Sequence, residues 1–180
     1  YLIIVFIALL VFFWKRLDKE PASKLKKDGF MLSLPIMGKL ILYKECAVFA
    51  RTLGALLGAG IPLIRALRVS REVVGNTILA TYLVQVEEDV RGGAGLGASL
   101  EKTNQFPTLL HQLVAVGEES GRTANILIKS AATFDTTVRN QISSLVAALQ
   151  PALIIILAIA VGGITITMLS AVFSMNAVDF

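Results

Sequence analysis

The chain has 180 residues, 55% hydrophobic and 17% charged, with a formal net charge of +4. That charged share lies below the roughly 25% usual for globular proteins, and a mean hydropathy of +0.72 is too high for a fully solvated surface. One cysteine (Cys46) and one histidine (His111) exclude an internal disulfide scaffold and a histidine-built zinc site.

Residues 1–14, YLIIVFIALLVFFW, are entirely apolar and are followed at once by Lys15 and Arg16. At ~1.5 Å per residue the run reaches about 21 Å, short of a ~30 Å hydrocarbon core. It has no basic start and no small-residue cleavage site, so it does not read as a signal peptide. The expectation is a transmembrane helix over 1–16 that is truncated at its start. Residues 17–34 mix charges with Pro21, Gly29 and Ser33 and suit a linker.

From Pro35 to residue 144 the spacing predicts a bundle of about six short helices, antiparallel and all-α. Ile36, Leu40, Leu42, Val48, Phe49, Leu53, Leu56 and Leu57 recur at helical intervals. Gly58-Ala59-Gly60-Ile61-Pro62 breaks the pattern, glycine suiting a helix end and proline a helix start. A second helix over Pro62–Val74 turns Leu63, Ala66, Leu67 and Ser70 inward. Asn76 is the N-cap expected for a third, which reaches Arg91. Its inner face is predicted as Ile78, Tyr82, Leu83 and Val86, its polar side as Gln85, Glu87, Glu88 and Asp89. After Gly92, Gly93, Gly95 and Gly97 comes a helical turn through Ser99–Lys102. Phe106-Pro107 opens a helix to Glu119, with Leu109, Leu110, Leu113 and Val114 predicted buried, and Gly121 ends it. Leu127, Ala131, Phe134, Val138, Ile142 and Leu145 then form the core stripe of a helix that runs into the next apolar segment.

That segment, Leu145 to Phe173, carries no charge and is long enough to span a bilayer. Pro151 and the pair Gly162-Gly163 interrupt it, which membrane helices tolerate. All 17 Lys and Arg lie between Lys15 and Arg139, so the positive-inside rule makes residues 15–144 cytoplasmic and leaves 174–180 as a short tail outside. The basic cluster at 15–27 is explained as a topology signal and lipid anchor, and no nucleic-acid role is expected.

Several motifs that suggest chemistry do not complete a site. Gly93-Ala94-Gly95-Leu96-Gly97-Ala98 fits G-x-G-x-x-A, but an acidic helix precedes it where a dinucleotide fold needs a strand. Glu118 and Glu119 are adjacent on a helix and point about 100° apart, so they cannot share a substrate. His111 on a leucine-rich helix and Cys46 beside Ala47 and Val48 read as packing residues. No catalytic residue, metal site or cofactor is expected.

Phe49-Ala50-Arg51-Thr52-Leu53, Leu57-Gly58-Ala59-Gly60-Ile61-Pro62-Leu63, Phe106-Pro107 and Val116-Gly117-Glu118-Glu119-Ser120-Gly121-Arg122 follow one another in that order. Together they resemble the platform proteins of type II secretion (F) and type IV pilus (C) machines, over about residues 35–173. Gln150 stands before Pro151 where that family often has Glu, and Thr123 stands where an apolar residue is more usual. The resemblance implies three membrane helices and two cytoplasmic helical domains, of which this segment looks like the second. It implies a multi-pass protein of the bacterial inner membrane with no enzymatic activity, which passes work from a cytoplasmic hexameric ATPase to pilin-like subunits. Other inner-membrane assembly proteins, the lipid bilayer and further copies of the chain are its expected partners. A transporter or channel subunit is the alternative, and it would call for intramembrane charge, whereas the second span offers only Gln150, Thr165, Thr167 and Ser170.

For Gly117, Glu118, Ser120 and Gly121 two roles stay open, a helix–helix corner or a contact for a cytoplasmic partner, with the corner preferred. Arg65, Arg68 and Arg71 recur every three residues along the second helix, with Glu72 placed to pair with Arg68. This arginine face is expected to help dock the ATPase. Gly162 and Gly163 are expected to let the last span pack closely against another membrane helix.

Overall fold

The computed structural model describes residues 28–29, 31–32, 34 and 36–176. The predicted first membrane span, most of the linker and residues 177–180 lie outside them. The chain divides into two compact units, Tyr1–Val138 and Arg139–Phe180.

Helix is the only regular structure among the described residues. The elements are α1 (Met37–Gly58), α2 (Leu63–Glu72), α3 (Thr77–Arg91), α4 (Leu96–Lys102), α5 (Thr108–Glu119) and α6 (Thr123–Asn176). The breaks fall where glycine, proline and asparagine stand. Gly60 takes φ +80°, a left-handed conformation that costs glycine nothing. There its N–H donates to the Leu57 carbonyl and that of Ile61 to the Leu56 carbonyl, both at 3.0 Å, closing α1 in a Schellman turn. Asn76 caps α3 as expected, its side-chain oxygen accepting the amides of Ile78 and Leu79 at 3.0 and 3.1 Å. Asn104 stands beyond the end of α4 at φ 52°, in the left-handed region asparagine tolerates.

Each helix of the first unit contributes to one core: Phe49 and Leu53 from α1, Leu67 from α2, Leu79, Leu83 and Val86 from α3, Leu96 and Leu100 from α4, Leu110 and Val114 from α5, Leu127 and Phe134 from α6. Full burial of one such side chain contributes about 1.5–3 kcal/mol. Tyr43 stacks on Phe134 and Phe49 on Phe106, with ring centroids 5.8 and 6.5 Å apart. Gly54 lets α1 approach the start of α6, since a Cβ there would lie 2.9 Å from the Ala124 carbonyl oxygen.

Three expectations about faces need correction. Glu87, assigned to the polar side of α3, is buried, because arginines from two helices converge on it. Leu109 is 43% exposed, since it opens the first turn of α5 and Leu110 takes the inward position. The stripe on α6 is core only through Phe134. Ile142 and Leu145 belong to the second unit and are exposed.

That second unit carries the uncharged stretch from Leu145 to Phe173, and α6 runs through Pro151 without a break. At ~1.5 Å per residue its 29 residues measure about 43 Å, more than the ~30 Å hydrocarbon core. Between Leu145 and Leu169 the large apolar side chains are bare, Ile154 at 60% and Ile166 at 70% exposure. Among the described residues α6 is the one helix long and apolar enough to cross a membrane.

Cys46 sits in the core, and burial foremost, with the Glu45 charge beside it second, pushes its thiol pKa well above the ordinary value. The thiol is therefore protonated in the folded state at every physiological pH. In the unfolded chain it ionises near ~8.5. The stability tied to this difference is whole below ~8.5 and declines as pH rises beyond it, by up to about 1.4 kcal/mol per unit. Maleimide should leave Cys46 unmodified at neutral pH until the protein is denatured, and Cys46→Ala should flatten the alkaline loss of stability. Rapid labelling of the native protein would contradict this burial.

Candidate functional site

The four motif residues at the end of α5 are all engaged within the chain. Gly117 is buried against the start of α6: a Cβ there would stand 3.0 Å from the Thr123 Cα. Gly121 is left-handed, φ +67°, and its N–H donates to the Glu118 carbonyl at 3.2 Å while that of Arg122 donates to the Gly117 carbonyl at 2.9 Å. This is a second Schellman turn. Ser120 Oγ donates back to the Val116 carbonyl at 2.7 Å.

Glu118 reaches furthest. Its Oε1 accepts the Leu96 amide at 2.6 Å and its Oε2 the Gly97 amide at 2.9 Å. Those are orphan donors at the start of α4, whose N-cap, Gly95, has no side chain to satisfy them. A carboxylate there also meets the positive end of the helix. The glycine-rich segment and the G-E-x-S-G motif, 21–22 residues apart, are thus two halves of one junction. Gly97 completes it, since a Cβ would lie 2.8 Å from both the Ala115 amide nitrogen and its Cβ. A phosphate approaching these amides would meet a carboxylate already in place. Glu119 is exposed on a different side, so the two acids do not act together.

Phe106 is buried on Phe49, and Pro107 holds the N-cap position of α5. Two open hollows flank the motif. One of about 290 Å³ is bounded by Leu57, Leu63, Glu118, Gly121, Thr123 and Ala124. The other, about 550 Å³, is bounded by Ser120, Arg122, Asn125, Ile126, Ile128 and Lys129. Among the described residues no three His, Cys, Asp or Glu side chains gather as a metal site would need.

On α2, Arg65 is exposed, but Arg68 and Arg71 turn toward α3. Arg68 donates to Glu87 Oε1 through Nη2 at 3.2 Å and Nε at 3.3 Å. Arg71 Nη1 lies 3.3 Å from Oε2, and Arg91, one turn along α3, donates to Oε1 at 2.6 Å. The expected Arg68–Glu72 pair is replaced by this cluster, because Glu87 gives Arg68 a desolvated partner and Glu72 only an exposed one. Sequence reasoning missed Glu87 and Arg91. Their i,i+4 spacing was the available signal.

In the second unit, a Cβ built on Gly162 or Gly163 would meet no atom within 4 Å. The small-residue surface is open on this chain.

Loss of the Glu118 carboxylate should expose two amides. Glu118→Ala should destabilise the first unit by about 0.5–2 kcal/mol and accelerate hydrogen exchange at Leu96 and Gly97. Gly121→Val should cost about 1–2 kcal/mol or more through its left-handed backbone. Unchanged exchange at those amides in Glu118→Ala would refute the capping role.

A family model described as type II secretion system (T2SS), protein F, matches residues 49–171. Among curated proteins, a type II secretion system protein F of Xanthomonas campestris pv. campestris is 36% identical over 152 residues, covering 84% of this chain and 38% of its own. One of Pseudomonas aeruginosa is 33% identical over 158 residues, 88% of this chain and 39% of its own. The type IV pilus assembly protein PilC of Pseudomonas aeruginosa is 31% identical over 178 residues, 98% of this chain and 47% of its own. The chain thus spans less than half the length of each of these relatives. The match covers both the helical core with its Glu118 junction and most of the apolar end of α6, so the chain belongs to the type II secretion system protein F family.

Proposed function

We propose that this chain is the cytoplasmic helical domain and adjoining membrane segment of an inner-membrane platform protein, in a type II secretion or type IV pilus machine. In this reading residues 15–144 are cytoplasmic, and the bundle is flanked by membrane helices over 1–16 and 145–173. The domain is non-enzymatic. It receives the work of a cytoplasmic ATPase and passes it to pilin-like subunits, alongside other inner-membrane assembly proteins. One observation carries the reading: a single family match runs from the packed core into a charge-free stretch of membrane length.

Charge distribution supports the orientation, since no Lys or Arg follows Arg139. The G-E-x-S-G corner serves as an internal brace in this account, because its polar groups are spent on backbone within the domain. Crosslinking of the full-length protein in native membranes, followed by identification of the attached proteins, should recover the machine's ATPase and pilin-like subunits. Recovery of permease components in their place would overturn the platform reading.

Gly162 and Gly163 give the membrane segment a place for a close neighbour, from the same chain, a second copy or a pilin-like subunit. A Cβ at either position meets no described atom of this chain within 4 Å. Gly162→Leu with Gly163→Leu should therefore leave membrane insertion intact while reducing oligomer content in detergent and secretion or piliation in cells. Unchanged oligomers and unchanged function would show that the glycines face lipid.

A further inference from the structure

Glu87 is almost fully enclosed, its side chain 6% exposed, yet three guanidinium groups share its one carboxylate. Arg68 and Arg91 keep 56% and 53% of their side-chain surface in solvent, and Arg71 keeps 26%. Each guanidinium carries five N–H donors, so Glu87 engages only a minority of the donors in the cluster. Among the described residues no carboxylate other than Glu87 lies within ion-pair distance of these arginines, although Glu72 and Glu88 are exposed on the same two helices.

Arg65 adds a fourth cation on the exposed side of α2. Val69, one turn beyond Arg65, is 40% exposed, and Val84, three residues before Glu87 on α3, is 38% exposed. The face therefore sets four arginines against Glu87, Glu72 and Glu88, a small positive excess, beside two partly exposed valines. Phosphate or a lipid headgroup would neutralise the charge and leave the valines in water. A protein segment bearing both carboxylates and apolar side chains would satisfy both.

We propose that the α2–α3 face, Arg65, Arg68, Arg71 and Arg91 with Val69 and Val84, docks an acidic, amphipathic segment of a protein partner, and that Glu87 is the positioning residue that holds its arginines. The proposal rests on the reading above that the machine's ATPase engages this domain, and it extends the arginine surface to α3. Glu87 fixes Arg68, Arg71 and Arg91 from behind, so the partner's carboxylates meet guanidinium forks whose side-chain entropy is already spent.

The test uses the full-length protein in nanodiscs, titrated with the purified ATPase of the same machine over a range of salt. Arg91→Glu and Arg65→Glu should each weaken binding by about tenfold at ~150 mM salt and flatten its salt dependence. Glu87→Gln decides the organising role, because it raises the net charge of the face by one and releases the arginines at once. Weaker binding by Glu87→Gln, with rescue by Glu87→Asp, is the expected result. Stronger binding would make Glu87 a mere offset to the charge and overturn its positioning role. Should Glu87→Gln fail to fold, Arg91→Ala, an exposed change, still tests the surface through the same loss of affinity. Displacement of the ATPase by inorganic phosphate at constant ionic strength would make the face a phosphate site and refute the protein-segment assignment. If the wild type binds while the arginine variants bind equally well, the docking surface lies elsewhere and the platform reading stands. If the wild type itself does not bind, the ATPase reading falls and this surface with it.

Discussion

A domain of short helices produces helix ends faster than it produces core, and every start leaves backbone N–H groups without partners. Here carboxylates and one carboxamide take several of them. Glu118 holds Leu96 and Gly97, Asp28 holds Thr77 at 2.8 Å, and Asn76 holds Ile78 and Leu79, while Glu45 holds the Gly75 amide just ahead of the cap at 2.7 Å. Each of the three carboxylates reaches across the chain from a distant element, so satisfying the helix start also fixes its neighbour. Polar satisfaction and tertiary placement are the same event in this fold. The apolar side chains supply the larger energy, but they specify contact without register, whereas an amide held at 2.6 Å sets one position of α4 against α5.

Local chemistry made the helices legible. Gly60, Pro62, Asn76 and Gly121 act through their own backbone or the next two or three residues, and the breaks they mark are the breaks observed. The long-range partners were not legible. Nothing near Glu118 in the sequence says that it faces the amides 21–22 residues earlier, so the corner is preferred to a partner contact without the junction that forms it. Glu87 misled for the same reason. On α3 alone it sits among Gln85, Glu88 and Asp89, and only the approach of α2 reveals it as an interior group. Leu109 failed in the opposite sense, its apolar character being no guide to which side of a first turn faces the core.

The glycine-rich segment shows how a pattern can be shared by two unlike purposes. In a dinucleotide fold its glycines let a phosphate reach bare amides at a helix start. Here the same small residues let a neighbouring helix come close, as Gly97 does against Ala115, and the amides receive Glu118. The physics of the helix start is identical in both. What differs is whether the anion arrives from solvent or is built into the chain, and that is settled by the element packed alongside.

Energetics single out the cluster at Glu87 from the other carboxylates. Enclosing a carboxylate carries a desolvation penalty of several kcal/mol unless it is paired and hydrogen-bonded. One bidentate guanidinium, or a few amides as at Glu118, suffices for that purpose. Three arginines exceed it, and the excess is not free, because like charges drawn to one point repel one another and each long side chain gives up rotamer freedom. Burial of Glu87 therefore accounts for one arginine, and the other two add little to the stability of the fold. Arg68 and Arg91 hold Glu87 and still keep more than half of their side-chain surface in solvent, which leaves donors available to the partner proposed for this face.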